Sequence, residues 1–142
     1  MITLDRRQLQ EIRDAAEAAY PAECCGLLVG SGGLSDGLRI TRVVPSPNLA
    51  AEEGNDRFEI DTELLVGLHR ELEGGPERVV GLYHSHPDHP AEPSERDLEG
   101  AWDPKLIWLI TAVEDGRAAR TTAHVLEGEG RSFEEIALCV VD

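Results

Sequence analysis

One short stretch of the chain places residues that can bind a metal ion close to residues that can handle protons. His84 and His86 are separated by one residue, and Ser94 and Asp97 follow them. Side chains alternate between the faces of a strand, so a strand ending here presents both histidines on one side. Two imidazoles at that spacing can bind a tetrahedral metal, and a zinc hydrolase needs about three protein ligands and one open position. Asp97 is the candidate third ligand, and Ser94 faces the same way on the helix predicted to carry both residues.

Each part of this pattern also has a purely structural interpretation. Ser94 and Asp97 spell S-x-x-D, which is typical of a capping box at the N-terminus of a helix. Two histidines on one strand can be ordinary half-buried residues. A site is therefore favoured only by the combination of the two motifs, and neither motif indicates one alone.

Taken together, the four residues resemble the JAMM signature of the MPN-domain metallopeptidases, which has the same residue types at the same intervals. A second segment, Glu23 to Gly30, matches the family pattern E-x-C-G-x-L-x-G. The resemblance covers the chain from its first helix to the predicted strand at Leu106. It includes Asn48 and residues 57–61, a stretch typical of the small stand-alone bacterial members of the JAMM/MPN+ family.

The resemblance implies a role for each of these residues. His84, His86 and Asp97 would bind one Zn²⁺ ion per chain. Glu23 would take a proton from the attacking water and later deliver a proton to the leaving amine, which is a poor leaving group unless protonated. Ser94 would donate a hydrogen bond to the oxyanion of the tetrahedral intermediate, and losing one such donor typically costs about 10² to 10³ in rate.

The resemblance also implies a fold and a substrate class. The fold would be α/β (α+β), an MPN-like mixed β-sheet flanked by helices with cytidine-deaminase-like layering, as one domain over residues 1–142. The substrate would be an amide at the C-terminal Gly-Gly tail of a ubiquitin-like or sulfur-carrier protein. We expect that tail to add as a strand at the sheet edge near the cleft, with its glycines passing the narrow site. The oligomeric state stays open, with a homodimer as one candidate.

Two other enzyme classes and a non-catalytic role compete with this interpretation. Residues 84–89 also spell H-x-H-x-D-H, which resembles metallo-β-lactamase-fold hydrolases and would make Asp88 and His89 ligands of a two-metal site. Too few residues and too few later ligands follow for that fold. A thiol protease using Cys24 or Cys25 is disfavoured by the apolar run around them. A catalytically silent MPN scaffold is disfavoured because such members usually lack a ligand, and this chain has the full set.

Composition excludes several other classes. A length of 142 residues suits one domain, and the formal net charge of −15 opposes binding to nucleic acid or anionic membranes. The apolar runs are far shorter than the ~20 residues of a membrane span. Three cysteines without a secretory signal indicate reduced thiols and a cytoplasmic protein.

The spacing of apolar residues predicts the elements that would position the site. A first helix runs from about Asp5 to Tyr20, a second covers residues 64–72, and a short third helix begins at Ser94. Residues 31–33 form a turn, residues 45–55 a loop, and the proline-rich residues 87–93 another loop. Strands are expected at residues 24–30, 38–44, 58–60, 78–86, 106–111, 119–126 and 133–141.

Overall fold

The computed structural model describes residues 1–101, 103–127 and 132–142. Within these ranges the helices are α1 Arg6–Ala19, α2 Thr62–Leu72 and α3 Glu95–Gly100. The strands are β1 Ile2–Asp5, β2 Cys25–Gly33, β3 Gly37–Ser46, β4 Arg78–Pro87, β5 Ile107–Glu114, β6 Arg117–Glu127, β7 Ser132–Ile136 and β8 Leu138–Val141. The predicted α+β class with a mixed sheet is confirmed. Among the helices described, none combines the length and the apolar composition that crossing a bilayer requires.

The strands form one sheet in the order β7-β6-β5-β4-β2-β3-β1-β8. β1 is parallel to both of its neighbours and β4 is parallel to β5, whereas the other pairs are antiparallel. β7 and β8 lie at opposite edges, although Ala137 alone separates them in the chain. Eight strands spaced about 4.8 Å apart would hold the edges of a flat sheet more than ~30 Å apart. One residue spans about 3.8 Å, so the sheet must curl until its edges approach each other.

Helix α1 packs on the inner face of this curl. It contacts strands from both halves of the sheet, and its buried residues Ile12 and Ala16 join the main core cluster. Asp5 caps the helix: its side chain accepts a hydrogen bond from the Gln8 backbone N–H, while the Gln8 side chain accepts one from the Asp5 N–H. The predicted first helix is therefore confirmed, with Asp5 as its cap.

A second core cluster lies on the other face of the sheet, beneath α2. Leu68 of α2 packs there with Leu82 of β4 and Trp108 of β5. β4 is buried along nearly its whole length because it has a neighbour on each side and apolar layers on both faces. The even-numbered side chains that follow Leu82 on the α2 side are His84 and His86, so the histidines stand at the end of this second core.

The prediction of a single strand over residues 133–141 is wrong. The described part of this segment is divided at Ala137 into β7, which pairs with β6, and β8, which pairs with β1 on the far edge. Local propensity indicates extended chain in both pieces but carries no information on which edge each one joins. The backbone carbonyl of Ala137 accepts a hydrogen bond from Ile2 N at 3.1 Å, which fixes the crossing point.

Two smaller predictions also fail, and one strand was missed. Residues 31–33 belong to β2, so the hairpin turn lies at residues 34–36 and not at residues 31–33. The N-terminal strand β1 was not anticipated, because four residues before a helix read equally well as its lead-in. Residues 58–60 make only an isolated bridge between Ile60 and Asn48. The Asn48 side chain bonds the Arg57 carbonyl and the Glu59 N–H, and thus takes hydrogen bonds that a neighbouring strand would otherwise make.

Candidate metal centre

Strand β4 brings the two histidines together. Both project from the same face, their rings are 4.9 Å apart, and their Nε2 atoms are separated by 3.1 Å. His84 is fully buried and His86 is nearly so. Two ring nitrogens held this close in a buried place need either a shared proton or a shared cation between them and a counter-charge.

Helix α3 supplies that counter-charge through Asp97. Its Oδ1 lies 3.1 Å from His84 Nε2, and its Oδ2 lies 3.0 Å from His86 Nε2. The same carboxylate accepts a hydrogen bond from Ser94 N at 2.9 Å, and Ser94 Oγ accepts one from Asp97 N at 3.0 Å. Asp97 thus belongs both to the capping box of α3 and to the cluster, so the structural and functional interpretations of S-x-x-D are compatible.

The donor set fits a metal ion. The two imidazole nitrogens lie 3.1 Å apart, and each lies 3.0–3.1 Å from a different oxygen of the Asp97 carboxylate. A tetrahedral zinc with bonds of about 2.0–2.1 Å requires ligand atoms roughly 3.3 Å apart, close to these separations. Within the described residues, this is the group of histidine, cysteine and acidic side chains whose ligand atoms converge in this way. Three protein ligands would leave a fourth position open.

The pKa shifts of Asp97 and His84 favour the protonation states that bind a cation. Burial opposes the charge on Asp97, but its hydrogen bonds with His84 and His86 outweigh burial and lower its pKa far below the usual value. Burial lowers the pKa of His84 despite its contact with Asp97. Burial also acts against charge on His86, but bonds with Asp97 and the Pro90 carbonyl raise its pKa overall. The cluster therefore contains an ionised carboxylate and at least one neutral imidazole, which are the forms that bind metals.

The two imidazole rings are oriented by different means. His86 Nδ1 lies 3.0 Å from the Pro90 carbonyl, so its N–H donates there and leaves Nε2 to face the cluster. His84 Nδ1 has no partner among the described residues. Its ring is held by packing instead, stacked on Phe58 at 4.3 Å and meeting the Trp108 ring edge-on at 5.5 Å. Phe58 belongs to the stretch that resembles the family, but its type and spacing did not predict a role in the site.

Glu23 lies just before β2, on the wall of an open cleft beside the cluster. The cleft has a volume of about 450 Å³, and Glu23, His86 and Ser94 contribute to its lining. Glu23 is 4% exposed, and its Oε1 has no hydrogen-bond partner in the described part of the chain. Burial raises its pKa to about 8, against an opposing effect of His86. The structure thus holds a buried, proton-binding carboxyl next to the three candidate ligands.

Asn48 fixes the backbone at Glu23. Its Nδ2 donates to the carbonyl oxygens of Glu23 and Arg57, at 3.0 and 3.1 Å. Its Oδ1 accepts from the N–H groups of Ala50 and Glu59. One side chain therefore ties the segment that carries Glu23 to the segment that carries Phe58, and so sets the position of both relative to the cluster.

Removing the Glu23 carboxyl is expected to change how the stability of the metal-free chain depends on pH. The unfolded carboxyl ionises near pH 4.5 but the folded one only near 8, so the unfolded state is favoured as the pH rises between these values. Glu23→Gln removes this effect. In the presence of a chelator, the free energy of unfolding of Glu23→Gln should increase relative to that of the wild type as the pH rises from 4.5 to 8, by on the order of 3–5 kcal/mol. Denaturant unfolding at pH 5, 7 and 9 measures this gain, and parallel curves would contradict the assignment.

The residues needed for a two-metal site do not join the cluster. Asp88 Oδ2 accepts a hydrogen bond from Tyr20 Oη at 2.6 Å, and its Oδ1 accepts one from Asp115 N at 2.9 Å. Asp88 thus fastens the loop after β4, with its backbone in the left-handed region at φ 56°. His89 lines the cleft but is not among the converging ligands. The H-x-H-x-D-H interpretation is therefore not supported by the described residues.

Cys24, Cys25 and His124 are buried and lie outside the cluster of candidate ligands. Burial raises the pKa of Cys24 to about 11 and that of Cys25 to about 12, so both thiols stay protonated at neutral pH and make poor nucleophiles. His124 is 3% exposed and hydrogen-bonded to Thr122. A histidine without neighbours at ligand spacing gave no sequence signal of this contact.

Comparison with known proteins relates the chain to one family. A family model described as prokaryotic homologs of the JAB domain matches residues 5–124. The desampylase of Haloferax volcanii is 37% identical over 132 residues, which is 93% of this chain and 88% of the relative. The CysO-cysteine peptidase of Mycobacterium tuberculosis is 32% identical over 100 residues, 70% of this chain and 65% of that protein. The solution structure of a protein from Desulfitobacterium hafniense superimposes with a TM-score of 0.83 at 29% identity, covering 100% and 94% of the two chains.

Proposed function

This chain belongs to the JAMM/MPN+ family, as one of the prokaryotic homologs of the JAB domain, and we propose that it is a zinc-dependent peptidase acting on carrier-protein conjugates. It would hydrolyse an amide bond at the C-terminus of a ubiquitin-like or sulfur-carrier protein. The observation that supports this proposal most is the convergence of His84, His86 and Asp97 beside a cleft that Glu23 and Ser94 also line. Relatives named desampylase and CysO-cysteine peptidase support the class of reaction.

His84, His86 and Asp97 would hold one Zn²⁺ ion per chain. The buried carboxylate supplies charge, and the two imidazoles supply neutral donors whose Nε2 atoms face the same point. When bound, zinc acts as a Lewis acid that lowers the pKa of a coordinated water to about 7 and polarises a carbonyl. The ring of His86 is kept in the required tautomer by the Pro90 carbonyl.

Glu23 would move the proton. It accepts the proton of the attacking water and delivers it to the leaving nitrogen, which cannot depart as an amide anion. A group that must serve as base and then as acid works best with a pKa near the working pH. Burial moves the pKa of Glu23 upward from 4.5, in that direction. Its Oε1 has no hydrogen-bond partner within the described residues, which leaves this oxygen available for a bond to water or substrate.

Ser94 would stabilise the oxyanion. Its Oγ accepts the capping hydrogen bond from Asp97 N, and a hydroxyl that accepts still has its own hydrogen to donate. Ser94 is exposed and lines the cleft, so this hydrogen can reach a substrate there. The cap therefore holds the hydroxyl in place without consuming its donor.

Ser94→Ala is expected to lower kcat by about 10² to 10³, because it removes an oxyanion donor. It also removes a helix cap, which costs about 1 kcal/mol of stability. Asp5→Ala is a matched control, since the Asp5 side chain caps α1 by accepting from Gln8 N and does not line the cleft. Steady-state kinetics beside thermal melts separate the two effects. Equal kcat in both variants would reduce Ser94 to a cap.

A second pocket lies beside the cluster, and we propose that it receives part of the tail of a carrier protein. Its volume is about 510 Å³, Asp97 and Arg96 border it, and its walls are mainly apolar, formed by residues such as Phe58, Ile60, Leu65, Leu82 and Leu106. Arg96 also borders the cleft that contains Glu23, so the two spaces adjoin. We place an apolar side chain of the tail in this pocket, with the small glycines passing the metal cluster.

The expected mode of strand addition needs correction at one point. β4, which carries the histidines, pairs with β2 on one side and β5 on the other, so the sheet has no free edge at β4. The extended segment at residues 57–60 borders the apolar pocket and makes only one bridge within the described chain. If the tail adds as a strand, this segment is the backbone beside the site that could receive it.

The test of the proposed function is cleavage of a purified conjugate. A ubiquitin-like carrier joined through its C-terminal Gly-Gly to an amine should be cut at that bond, and the rate should fall at least tenfold when both glycines become leucines. Chelation of the metal should abolish cleavage of both the glycine conjugate and the leucine conjugate. A carrier with leucines that is cut equally fast would refute the glycine-dependent tail site, and absence of cleavage from all such conjugates would refute the substrate class.

A further inference from the structure

The loop between β4 and α3, residues 88–93, reaches across the sheet. Ala91 is buried against Ile110 and Ala112 of β5. Its carbonyl accepts a hydrogen bond from Thr122 Oγ1 of β6, at 2.6 Å. The order β4-β5-β6 means that the loop crosses over β5 to make this contact. Thr122 pairs with Ile110, which pairs with His84, so the threonine lies on the same face of the sheet as the candidate ligands.

His124 contacts the same threonine hydroxyl. Its Nε2 lies 2.8 Å from Thr122 Oγ1, and both residues are at least 95% buried. The single hydroxyl hydrogen of Thr122 is used on the Ala91 carbonyl, so His124 Nε2–H must donate to the threonine oxygen. The hydrogen bonds therefore run in one direction, from His124 to Thr122 to the Ala91 carbonyl. The Thr122 hydroxyl thus both accepts and donates a hydrogen bond within this buried chain.

The carbonyl of the preceding residue is the one that orients a candidate ligand. Pro90 O accepts from His86 Nδ1–H at 3.0 Å. The carbonyls of Pro90 and Ala91 belong to successive peptide units, so an anchor on one restricts rotation of the other. We propose that Thr122, supported by His124, is a positioning residue of the metal centre, which holds the Pro90–Ala91 segment and thereby the ring of His86.

This proposal rests on the metal-binding part of the proposed function and is independent of the substrate. A partner that directly orients a ligating histidine typically contributes about 10- to 100-fold in metal affinity. Thr122 acts one bond further away, so about tenfold is expected. Its loss should leave the ligands in place and loosen only the loop that orients one of them.

The matched control lies on the same two strands. Thr111 of β5 and Thr121 of β6 bond to each other through their hydroxyls at 2.8 Å, on the opposite face of the sheet. Thr111 is fully buried. Thr111→Val therefore removes a buried hydroxyl from the same sheet without touching the loop. Thr122→Ser keeps the hydroxyl and should restore what Thr122→Val loses.

The experiment measures Zn²⁺ affinity by competition with a chelator for the wild type, Thr122→Val, Thr122→Ser and Thr111→Val. Thr122→Val should bind zinc about tenfold more weakly, and the other two within about threefold of the wild type. In the metal-free chains, hydrogen exchange of the His89 amide, which donates to the His86 carbonyl at 3.4 Å, should be faster in Thr122→Val alone. If Thr122→Val does not fold, Thr122→Ala and Thr111→Ala replace the valine pair.

The outcomes separate the two proposals. Equal zinc affinity in Thr122→Val and Thr111→Val would overturn the positioning role while leaving the metal site intact. A Thr122→Ser variant as weak as Thr122→Val would overturn it as well, because the hydroxyl would not be the group that matters. A wild-type chain that binds no zinc would instead overturn the proposed function on which this inference rests.

Discussion

Glu23→Gln is expected to retain its zinc and to lose kcat by about 10² to 10⁴, the usual contribution of general acid–base catalysis. Glutamine has nearly the same shape as glutamate, so the wall of the cleft should be preserved. It cannot accept a proton from water at neutral pH. Glu23 is not one of the three converging ligands, so zinc content should be unchanged. Metal analysis and steady-state kinetics on a carrier conjugate test both halves of this expectation.

Glu92→Gln is the matched control for this result. Glu92 lines the same cleft as Glu23, but its side chain is exposed. Glu92→Gln removes a solvated carboxyl from the same cleft and leaves the buried carboxyl of Glu23 in place. We expect kcat to stay within about threefold of the wild type, as is usual for a solvated charge. If Glu23→Gln retained turnover comparable to that of Glu92→Gln, Glu23 would not be the base.

Asp97→Asn is expected to abolish tight metal binding and, with it, turnover. Asparagine keeps an oxygen that can accept the hydrogen bond from Ser94 N, so the capping box of α3 can persist. The charge that both histidines face is lost. Zinc affinity should fall by more than the ~100-fold that losing a residue behind a ligand costs. Chelator competition measures the affinity, and circular dichroism checks that the helix and the fold remain.

Glu95→Gln controls for the position of this charge. Glu95 is in the first turn of the same helix and is exposed, outside the cluster. The Glu95→Gln substitution also removes one negative charge near the helix N-terminus, which affects helix stability by a fraction of a kcal/mol. Zinc affinity should be unchanged. A loss in Glu95→Gln as large as that in Asp97→Asn would indicate that general charge, and not ligation, is being measured.

The part of the site that the sequence predicts best is the part set by local geometry. Strand alternation places His84 and His86 on one face, and helical spacing relates Ser94 to Asp97, so each pair follows from a few neighbouring residues. Both pairs are found with the expected orientation. That the pairs meet, and that Glu23 borders the same cleft, depends on strand order, which local patterns do not encode.

The supporting residues could not be foreseen for the same reason. Phe58 was predicted to be part of a strand, yet its ring stacks on that of His84, which is distant in the chain. Thr122 and His124 carry no recognisable motif, and their contact with Ala91 exists only because a loop crosses β5. Likewise, the division at Ala137 depends on the curl of the sheet. Long-range contacts of this kind decide packing and are invisible to periodicity.

Under the proposed function, one zinc ion held by His84, His86 and Asp97 enables this chain to cleave a carrier-protein amide. The most direct test strips the metal with a chelator, removes the chelator, and follows conjugate cleavage as zinc is added back in known amounts. No cleavage is expected without metal, and the rate should rise linearly and level off at one zinc per chain. Cleavage that survives complete removal of metal, or a rate that levels off only at two zinc ions per chain, would contradict it.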